Sequence, residues 1–544
     1  MAGNIDIFTK PNCRFCSQAK ETLAEAGLGY TQHDVIASDR DANASVYFSG
    51  STTVPQIFIG GLHVNGSEDL ALLHMTGRLT DLAGQSVGSL GLDDVSDEDL
   101  RHGAEDLLLR NEISSSDGTR DKDPEQWPIL SMYKDFFGFW PNTFAYLHRW
   151  PEAYKAFVYD HNGAAIGTGR DALGMPLMSA LGYATSNAHG CSYCQVHSAT
   201  TGGENSIDAV NQLEAAKRGE AGENNPFGPF ELALADLVAR SSTNSVTDEA
   251  VATVRHTWSE ARMPFGEFNE CFASATMIAA AFGFLNVFND LTGVKVEADW
   301  ARQAQDGTGL SAGRHGVDTR QGLPIEPISE GGPTKEDMVR KYAASVVEAG
   351  GPAAYAKNML GAEPAWLRSW PQPLRANHIH LYATIMAGED TNGITSELKH
   401  LMARVSAIAK GHHVLAAAEG HLAYVAAGRT KNSLLRVRAT MAPIRDSQAI
   451  ELFTEPERAA LVFAWLSAQA PLATPHRFVD PVLKHFDEDQ LITLIVVCSM
   501  ASLVQRFSSI MRPEVDADTA AFLAEHDLEL DTLRLRYEAL DEQR

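Results

Sequence analysis

The sequence predicts a multidomain chain, with one small α/β domain at the N-terminus and two all-α domains behind it. Three observations predict this. A short strand runs into the pair Cys13-x-x-Cys16 and a helix that ends near Ala26. From Gln126 onward strand-like alternation nearly vanishes, and long amphipathic runs separated by Gly, Pro and Asn take over. The helical part also repeats itself at a spacing of about 220 residues.

The composition sets outer bounds. A chain of 544 residues has room for about three domains. It is 44% hydrophobic and 21% charged, as soluble globular proteins are. A net charge of −26 speaks against a nucleic-acid partner or an anionic membrane surface. Met1-Ala2-Gly3-Asn4 leads straight into a strand-like run, so no secretory signal is expected. No apolar run is expected to reach the length of a membrane span. Six cysteines occur, and four of them form two Cys-x-x-Cys pairs. That pattern suits thiol chemistry in a reducing cytoplasm and not a secreted disulfide scaffold. Cys271 and Cys498 lie in apolar helical runs and are expected to be buried.

The first element is the strand Ile5 to Thr9, followed by Lys10-Pro11-Asn12-Cys13-Arg14-Phe15-Cys16 and a helix from Ser17 to Ala26. A strand that feeds a Cys-x-x-Cys at a helix start is a redox arrangement. Cys13, at the helix N-terminus, is the expected low-pKa nucleophile, and Cys16, one turn in, resolves the mixed disulfide. Thr53-Val54-Pro55-Gln56-Ile57-Phe58-Ile59-Gly60-Gly61 opens a β-run with a proline, which a cis peptide before Pro55 would explain.

These residues resemble glutaredoxin, a thioredoxin-like α/β fold, over about the first 84 positions. The resemblance implies a glutathione groove formed by Lys10, Thr53, Val54, Pro55, Gly66, Ser67 and Glu68, with Gln56 beside them. Three positions depart from the family pattern. Arg14 replaces the usual proline between the cysteines, Asn65 replaces a turn glycine, and Glu68 replaces an aspartate.

Residues 85–125 turn acidic and Ser/Gly-rich and are expected to form a linker with one short helix, Ser96 to Asn111, capped by Ser96. Such a tether would raise the local concentration of the N-terminal domain at its neighbour.

In the helical part, Gly190-Cys191-Ser192-Tyr193-Cys194-Gln195-Val196-His197-Ser198 places two thiols on one face of a helix start. The helix dipole there would lower a thiol pKa. The same spacing also suits half of a zinc site with His197 as a third ligand, or two core cysteines. The segment resembles the active-site helix of the carboxymuconolactone decarboxylase/AhpD-like alkylhydroperoxidase family through Cys191, Tyr193, Cys194 and His197. The family's relay histidine falls at Ser198 and its glutamate at Ser179, so His197 is the expected substitute.

The repeat pairs Phe144 to Pro151 with Pro364 to Pro371, and Leu285 to Phe288 with Val504 to Phe507. Expected boundaries are a glutaredoxin-like domain at 1–84, an AhpD-like helical domain at 126–300, a linker at 301–334 and a second such domain at 335–544. The second copy lacks the thiols. His400, His412, His413 and Glu419 stand near the corresponding positions, where drift is the expected explanation and a metal site the alternative. His378 and His380 are expected on a helix surface.

The resemblance implies a thiol-disulfide oxidoreductase. A hydroperoxide would oxidise Cys194, Cys191 would condense with it, and His197 and Tyr193 would handle and orient the proton. Cys13 and Cys16 would then reduce the pair, with glutathione as electron donor and no metal. A disulfide substrate is the alternative to a hydroperoxide. A glutaredoxin attached to a non-peroxidase helical enzyme or binding scaffold is the alternative function, and lactone decarboxylation is a weaker third. The family's habit of assembly implies a homo-oligomer.

Overall fold

The computed structural model describes residues 5–85, 88–116, 139–161, 167–260, 265–319, 334–388, 392–445 and 448–528. The chain divides into two compact units. One takes Met1–Leu107 with Met441–His485, and the other takes Leu108–Thr440 with Phe486–Asp531. These units do not follow the boundaries expected from the sequence, because part of the last helical stretch packs with the N-terminal residues.

The first unit is built on a four-stranded sheet of order β2-β1-β3-β4. β1 (Ile5–Thr9) runs parallel to β2 (Thr31–Asp34) and antiparallel to β3 (Gln56–Ile59), which pairs with β4 (Leu62–His63). Alternation along β1 feeds two cores. Ile5 and Ile7 pack with Ala19 and Leu23 of α1 (Arg14–Glu25), and with Leu70, Leu73, Leu79 and Leu82 of α3 (Ser67–Met75) and α4 (Arg78–Gln85). Phe8 and Phe58 pack on the other face, with Ala44 of α2 (Asp39–Ser49) and Leu100 of α5 (Asp97–Ala104). The Val54–Pro55 peptide is cis, as the proline-opened strand implied.

Over its described residues the expected linker is packed. Ser96 caps α5 by accepting from the Asp99 amide at 3.1 Å. The helix ends at Ala104, short of the expected Asn111, and Leu109–Asn111 forms a separate 3-10 turn. Within this stretch Leu100, Leu109 and Ile113 are buried, while residues 117–125 lie outside the described residues. At Gly103 a Cβ would meet the Tyr47 ring at 2.5 Å, so α5 can lie this close to α2 only with glycine there. The helices Glu455–Ser467 and His476–His485 complete the unit. Arg477 lies over the Tyr47 ring at 4.1 Å, and the Thr474 amide donates to Asp106 Oδ1 at 2.8 Å.

The second unit is helical, with α6 (Asn142–Leu147), α7 (Pro151–His161), α8 (Gly169–His189), α9 (Ser192–Thr200), α10 (Glu204–Lys217), α11 (Pro229–Thr243), α12 (Asp248–Glu260) and α13 (Phe265–Thr292) in its first part. A two-residue strand β5 (Val296–Glu297), α14 (Ala298–Thr308) and β6 (Val317–Asp318) follow, and the two strands pair in parallel. Part of the expected 301–334 linker is therefore built into this unit; its remaining residues, 320–333, lie outside the described residues. The later part contributes α15 (Arg375–Met386), α16 (Ser396–Ala409), α17 (His413–Ala426), α18 (Lys431–Arg438) and α19 (Glu488–Met511). The repeated motifs Leu285–Phe288 and Val504–Phe507 lie on α13 and α19, which pack along each other.

Two helices are long and apolar enough to cross a membrane, Glu267–Thr292 within α13 and Glu488–Met511, which corrects the expectation that none would be. Most of each is buried, since their apolar surfaces are used against neighbouring helices. Gly283 makes the close contact possible. A Cβ there would sit 2.9 Å from the Ser502 carbonyl oxygen and 3.2 Å from Leu503 Cα, and backbone cannot move aside as a side-chain end can. Gly283→Ala is expected to force α13 and α19 apart, costing about 1–3 kcal/mol as overpacking does. Far-UV circular dichroism during heating checks it, and an unchanged midpoint would contradict the close packing.

Candidate active site

At the N-terminal pair, Cys13 is the N-cap of α1 and Cys16 lies in its first turn, joined to Cys13 as a disulfide. The Cys16 amide points at Cys13 Sγ from 3.1 Å, so a thiolate on Cys13 would meet a hydrogen-bond donor and the positive end of a helix. Cys13 is half-buried and Cys16 buried. The Val54 carbonyl lies 3.9 Å from Cys13 Sγ. The cis peptide leads on to Pro55, whose carbonyl oxygen faces Gly66, the N-cap of α3. Ser67 opens that helix, and no side-chain hydrogen bond caps it at Gly66. Lys10, Thr53 and Glu68 are exposed.

At the second pair, Cys191 is the N-cap of α9 and Cys194 sits in its first turn, with the Cys194 amide 3.5 Å from Cys191 Sγ. Both are free thiols and buried. Burial pushes the Cys191 thiol well up, with Cys194 and the Asp290 charge acting in the same direction. The low pKa expected from the helix dipole is therefore corrected for Cys191. Desolvation of a fully buried thiolate outweighs the partial charge of a helix end.

Cys194 opens on a cavity of about 100 Å³ lined mainly by apolar groups such as Phe144, Met178 and Phe282. Asn289 donates its amide to Cys194 Sγ at 3.2 Å, and Thr143 fixes that amide by donating to its oxygen at 2.6 Å. His197 lines the same cavity. Its Nε2 lies 2.7 Å from Glu297 Oε2, and its ring lies 4.0 Å from that of Trp300. Glu297 is fully buried and also accepts from the Asn142 amide at 2.6 Å and from the Tyr193 hydroxyl at 3.1 Å. Three donors are what a buried carboxylate needs. Burial and the Glu297 charge hold the Tyr193 phenol protonated, so it is a donor here.

Ser179 and Ser198, at the family's glutamate and histidine positions, are each hydrogen-bonded within the helices. Ser179 pairs with Ser206 at 2.7 Å, and Ser198 donates to the Cys194 carbonyl at 2.8 Å. Sequence reasoning missed Glu297, Asn289, Asp290 and His315. Asn286, Asn289 and Asp290 were the available signal, since they mark one polar face on an otherwise apolar helix. His315 and Glu297 come from short segments with no periodicity to reveal them.

Behind Cys191, His315 Nε2 lies 4.0 Å from its Sγ and 2.9 Å from Asp290 Oδ1. Burial alone would raise Asp290, but the neighbouring His189 and His315 rings overcome it and hold the carboxyl below its ordinary range. Cys191, Asp290 and His315 lie close enough to share an ion, as do His102, Glu105 and His476 in the other unit. The buried Arg506 guanidinium beside the first group opposes a second cation there.

Among the later helices, His400 Nδ1 lies 2.7 Å from Glu419 Oε2, and Tyr382 donates to Glu419 Oε1 at 2.6 Å. Among the described residues the groups that could share an ion do not include His400, His412, His413 or Glu419. His378 is buried, not on a surface: it stacks on Trp370 at 3.4 Å and pairs with Asp160 at 2.9 Å. His380 is likewise engaged, stacked on Tyr342 at 3.7 Å. Both face neighbouring segments that their own helix pattern cannot reveal.

The family model for glutaredoxin matches residues 5–64. The chain is 46% identical over 67 residues to a hybrid peroxiredoxin, hyPrx5, of Haemophilus influenzae, covering 12% of this chain and 27% of that protein. It is 35% identical over 79 residues to glutaredoxin 3 of Escherichia coli, covering 14% of this chain and 95% of that protein. It thus spans only about a quarter of the first relative's length but nearly all of the second's. The apo structure of the debrominase Bmp8 covers 34% of this chain and 94% of its own at 21% identity, with a TM-score of 0.27, a likeness too slight to carry an argument.

Proposed function

The chain belongs through its N-terminal segment to the glutaredoxin family, and on that premise we propose that it carries electrons from glutathione through Cys13/Cys16 to Cys191/Cys194, where a hydroperoxide is reduced. Glutaredoxins are thiol oxidoreductases that use glutathione. The observation that carries the finer reading is the cavity in which Cys194, Asn289 and the His197–Glu297 pair meet. A relative named a hybrid peroxiredoxin also supports a link between this N-terminal segment and peroxide reduction.

Cys194 Sγ takes the distal oxygen of the hydroperoxide. As the S–O bond forms and the O–O bond breaks, the Cys194 thiol gives its proton to the His197 side of the cavity, and the leaving alkoxide takes that proton up and departs as the alcohol. Glu297 holds that imidazole, and Tyr193 holds Glu297. Asn289 offers a hydrogen bond to the sulfur before attack. Cys191 then displaces the hydroxyl from Cys194, giving a disulfide and water. Two thiols at Cys13 and Cys16 reduce that disulfide by exchange, and two glutathione molecules restore Cys13/Cys16.

The test is oxidation of NADPH in the presence of glutathione, glutathione reductase and an organic hydroperoxide. The full chain is expected to consume hydroperoxide, and Cys194→Ser to lose that activity while keeping disulfide reduction at Cys13/Cys16. Undiminished turnover by Cys194→Ser would sink the reading.

A second reading has one observation in its favour. Phe15, between the N-terminal cysteines, is 52% exposed, which suits a protein surface as the disulfide substrate. In that case Cys13/Cys16 serve partner proteins and the helical unit is a separate enzyme or scaffold.

A further inference from the structure

Two imidazoles from opposite ends of the sequence meet in the first unit. His102 lies in α5, and His476 opens the helix His476–His485. Their rings lie 4.5 Å apart, tilted by 33°. Glu105, the C-cap of α5, completes the group: one ligand atom from each of His102, Glu105 and His476 lies within 4.8 Å of the other two. Asp480 stands one helical turn beyond His476, and its Oδ1 lies 2.8 Å from His476 Nδ1. A carboxylate only accepts, so in the neutral ring Nδ1 carries the proton and Nε2 keeps its lone pair for a metal. Asp480 Oδ2 lies 3.6 Å from His102 Nε2, beyond hydrogen-bond length, so this contact does not occupy that ring's lone pair.

The backbone beneath these side chains is held. The His476 amide donates to the Glu105 carbonyl at 3.0 Å, the Leu107 amide to the Thr474 carbonyl at 2.8 Å, and Thr474 Oγ1 to the Leu107 carbonyl at 2.6 Å. The side chains stay accessible, with His102 and Glu105 exposed and His476 half-buried. Two ligands of one tetrahedral zinc ion stand roughly 3.3 Å apart. From separations within 4.8 Å the ligand atoms close by at most about 1.5 Å, which exposed side chains do by turning, without repacking the core.

We propose that His102, Glu105 and His476 bind a zinc-class divalent ion, with Asp480 as the outer-shell partner that orients His476. Two imidazoles and a carboxylate are a set that zinc accepts and that calcium and magnesium, which take oxygen ligands, do not. Water fills the fourth position. The ion ties the end of α5 to the helix His476–His485 and so clamps this late stretch of the chain within the unit built on the N-terminal sheet. None of the ligands falls among residues 5–64, which match the glutaredoxin model. The site uses no cysteine, so it stands whatever the thiol pairs reduce.

Thiolates also bind zinc, so the test begins with the full chain oxidised by diamide. Zinc chloride is titrated into it against a chromophoric chelator, and a single zinc per chain is expected. Asp480→Asn should weaken binding about ten- to a hundredfold, as loss of an outer-shell partner does, and His102→Gln or His476→Gln should weaken it further than that. Cobalt(II) in place of zinc should give the visible bands of a nitrogen–oxygen site with no near-ultraviolet sulfur-to-cobalt transition. The thermal midpoint of the unsubstituted chain should rise with free zinc, because an ion bound only by the folded state stabilises it by mass action. The midpoint of His476→Gln should not. Far-UV circular dichroism verifies that each variant is folded. Unchanged zinc affinity in folded His102→Gln or His476→Gln protein, a sulfur-to-cobalt transition, or no zinc held against the chelator overturns the proposal.

Discussion

Serine in place of Cys13 is expected to abolish glutathione-dependent disulfide reduction, whereas serine in place of Cys16 leaves the chain able to remove glutathione from a mixed disulfide. The asymmetry comes from where α1 begins. Cys13 is its N-cap, partly accessible, with the Cys16 amide directed at its sulfur from 3.1 Å. Cys16 is 2% exposed and reaches only a sulfur already bonded to Cys13. Attack on a glutathione mixed disulfide needs one accessible thiolate, and release by a second glutathione needs no other protein thiol. Reduction of a protein or small-molecule disulfide by the dithiol route needs both. Cys13→Ser should therefore fall to background in both assays. Cys16→Ser should lose more than about tenfold in the dithiol assay and little with a glutathionylated peptide. Equal loss in both variants would contradict the assignment of the two roles.

What the sequence made legible was local chemistry. Ile5 to Thr9, Cys13, Cys16 and Pro55 stand in one short stretch whose turns and caps are self-contained, so strand, helix start and cis peptide follow from residues a few positions apart. Cys191 as an N-cap was readable in the same way. What was not readable came from distance along the chain. Glu297 and His315 reach the thiols from a two-residue strand and a 3-10 turn in a stretch rich in Gly, Pro and Ser. Arg506 reaches them from more than 300 residues away. One cation inside the apolar run from Leu491 to Ile510 was a clue in itself, because a buried guanidinium is kept only where polar partners wait for it. In the described part of the acidic connector, Leu100, Leu109 and Ile113 are buried among outward-facing charges, with no periodicity in the sequence to reveal them.

The transfer between the two pairs is expected to pass through a Cys13–Cys194 mixed disulfide, and trapping it is the sharpest test of a single electron path. Of the two sulfurs of the second pair, Cys194 lines the cavity and Cys191 is fully buried behind it, so an incoming thiolate has one sulfur of that disulfide to attack. In the double variant Cys16→Ser/Cys191→Ser neither resolving thiol remains, and the mixed disulfide cannot be released within the chain. Oxidation with one equivalent of dithiobisnitrobenzoate should therefore join Cys13 to Cys194 and release two thionitrobenzoate anions. Separation of the domains by cleavage is a poorer test, because Met441–His485 belongs to the same compact unit as the N-terminal segment and one cut does not free either. Two sites in one chain share an effective concentration up to about millimolar, roughly a thousandfold above micromolar protein. Formation of the cross-link should thus be independent of protein concentration, and peptide mapping should find it within monomers. A rate that rises in proportion to concentration, or a map with Cys13 and Cys194 labelled separately, would assign the N-terminal pair to other partners and leave the helical unit without this donor.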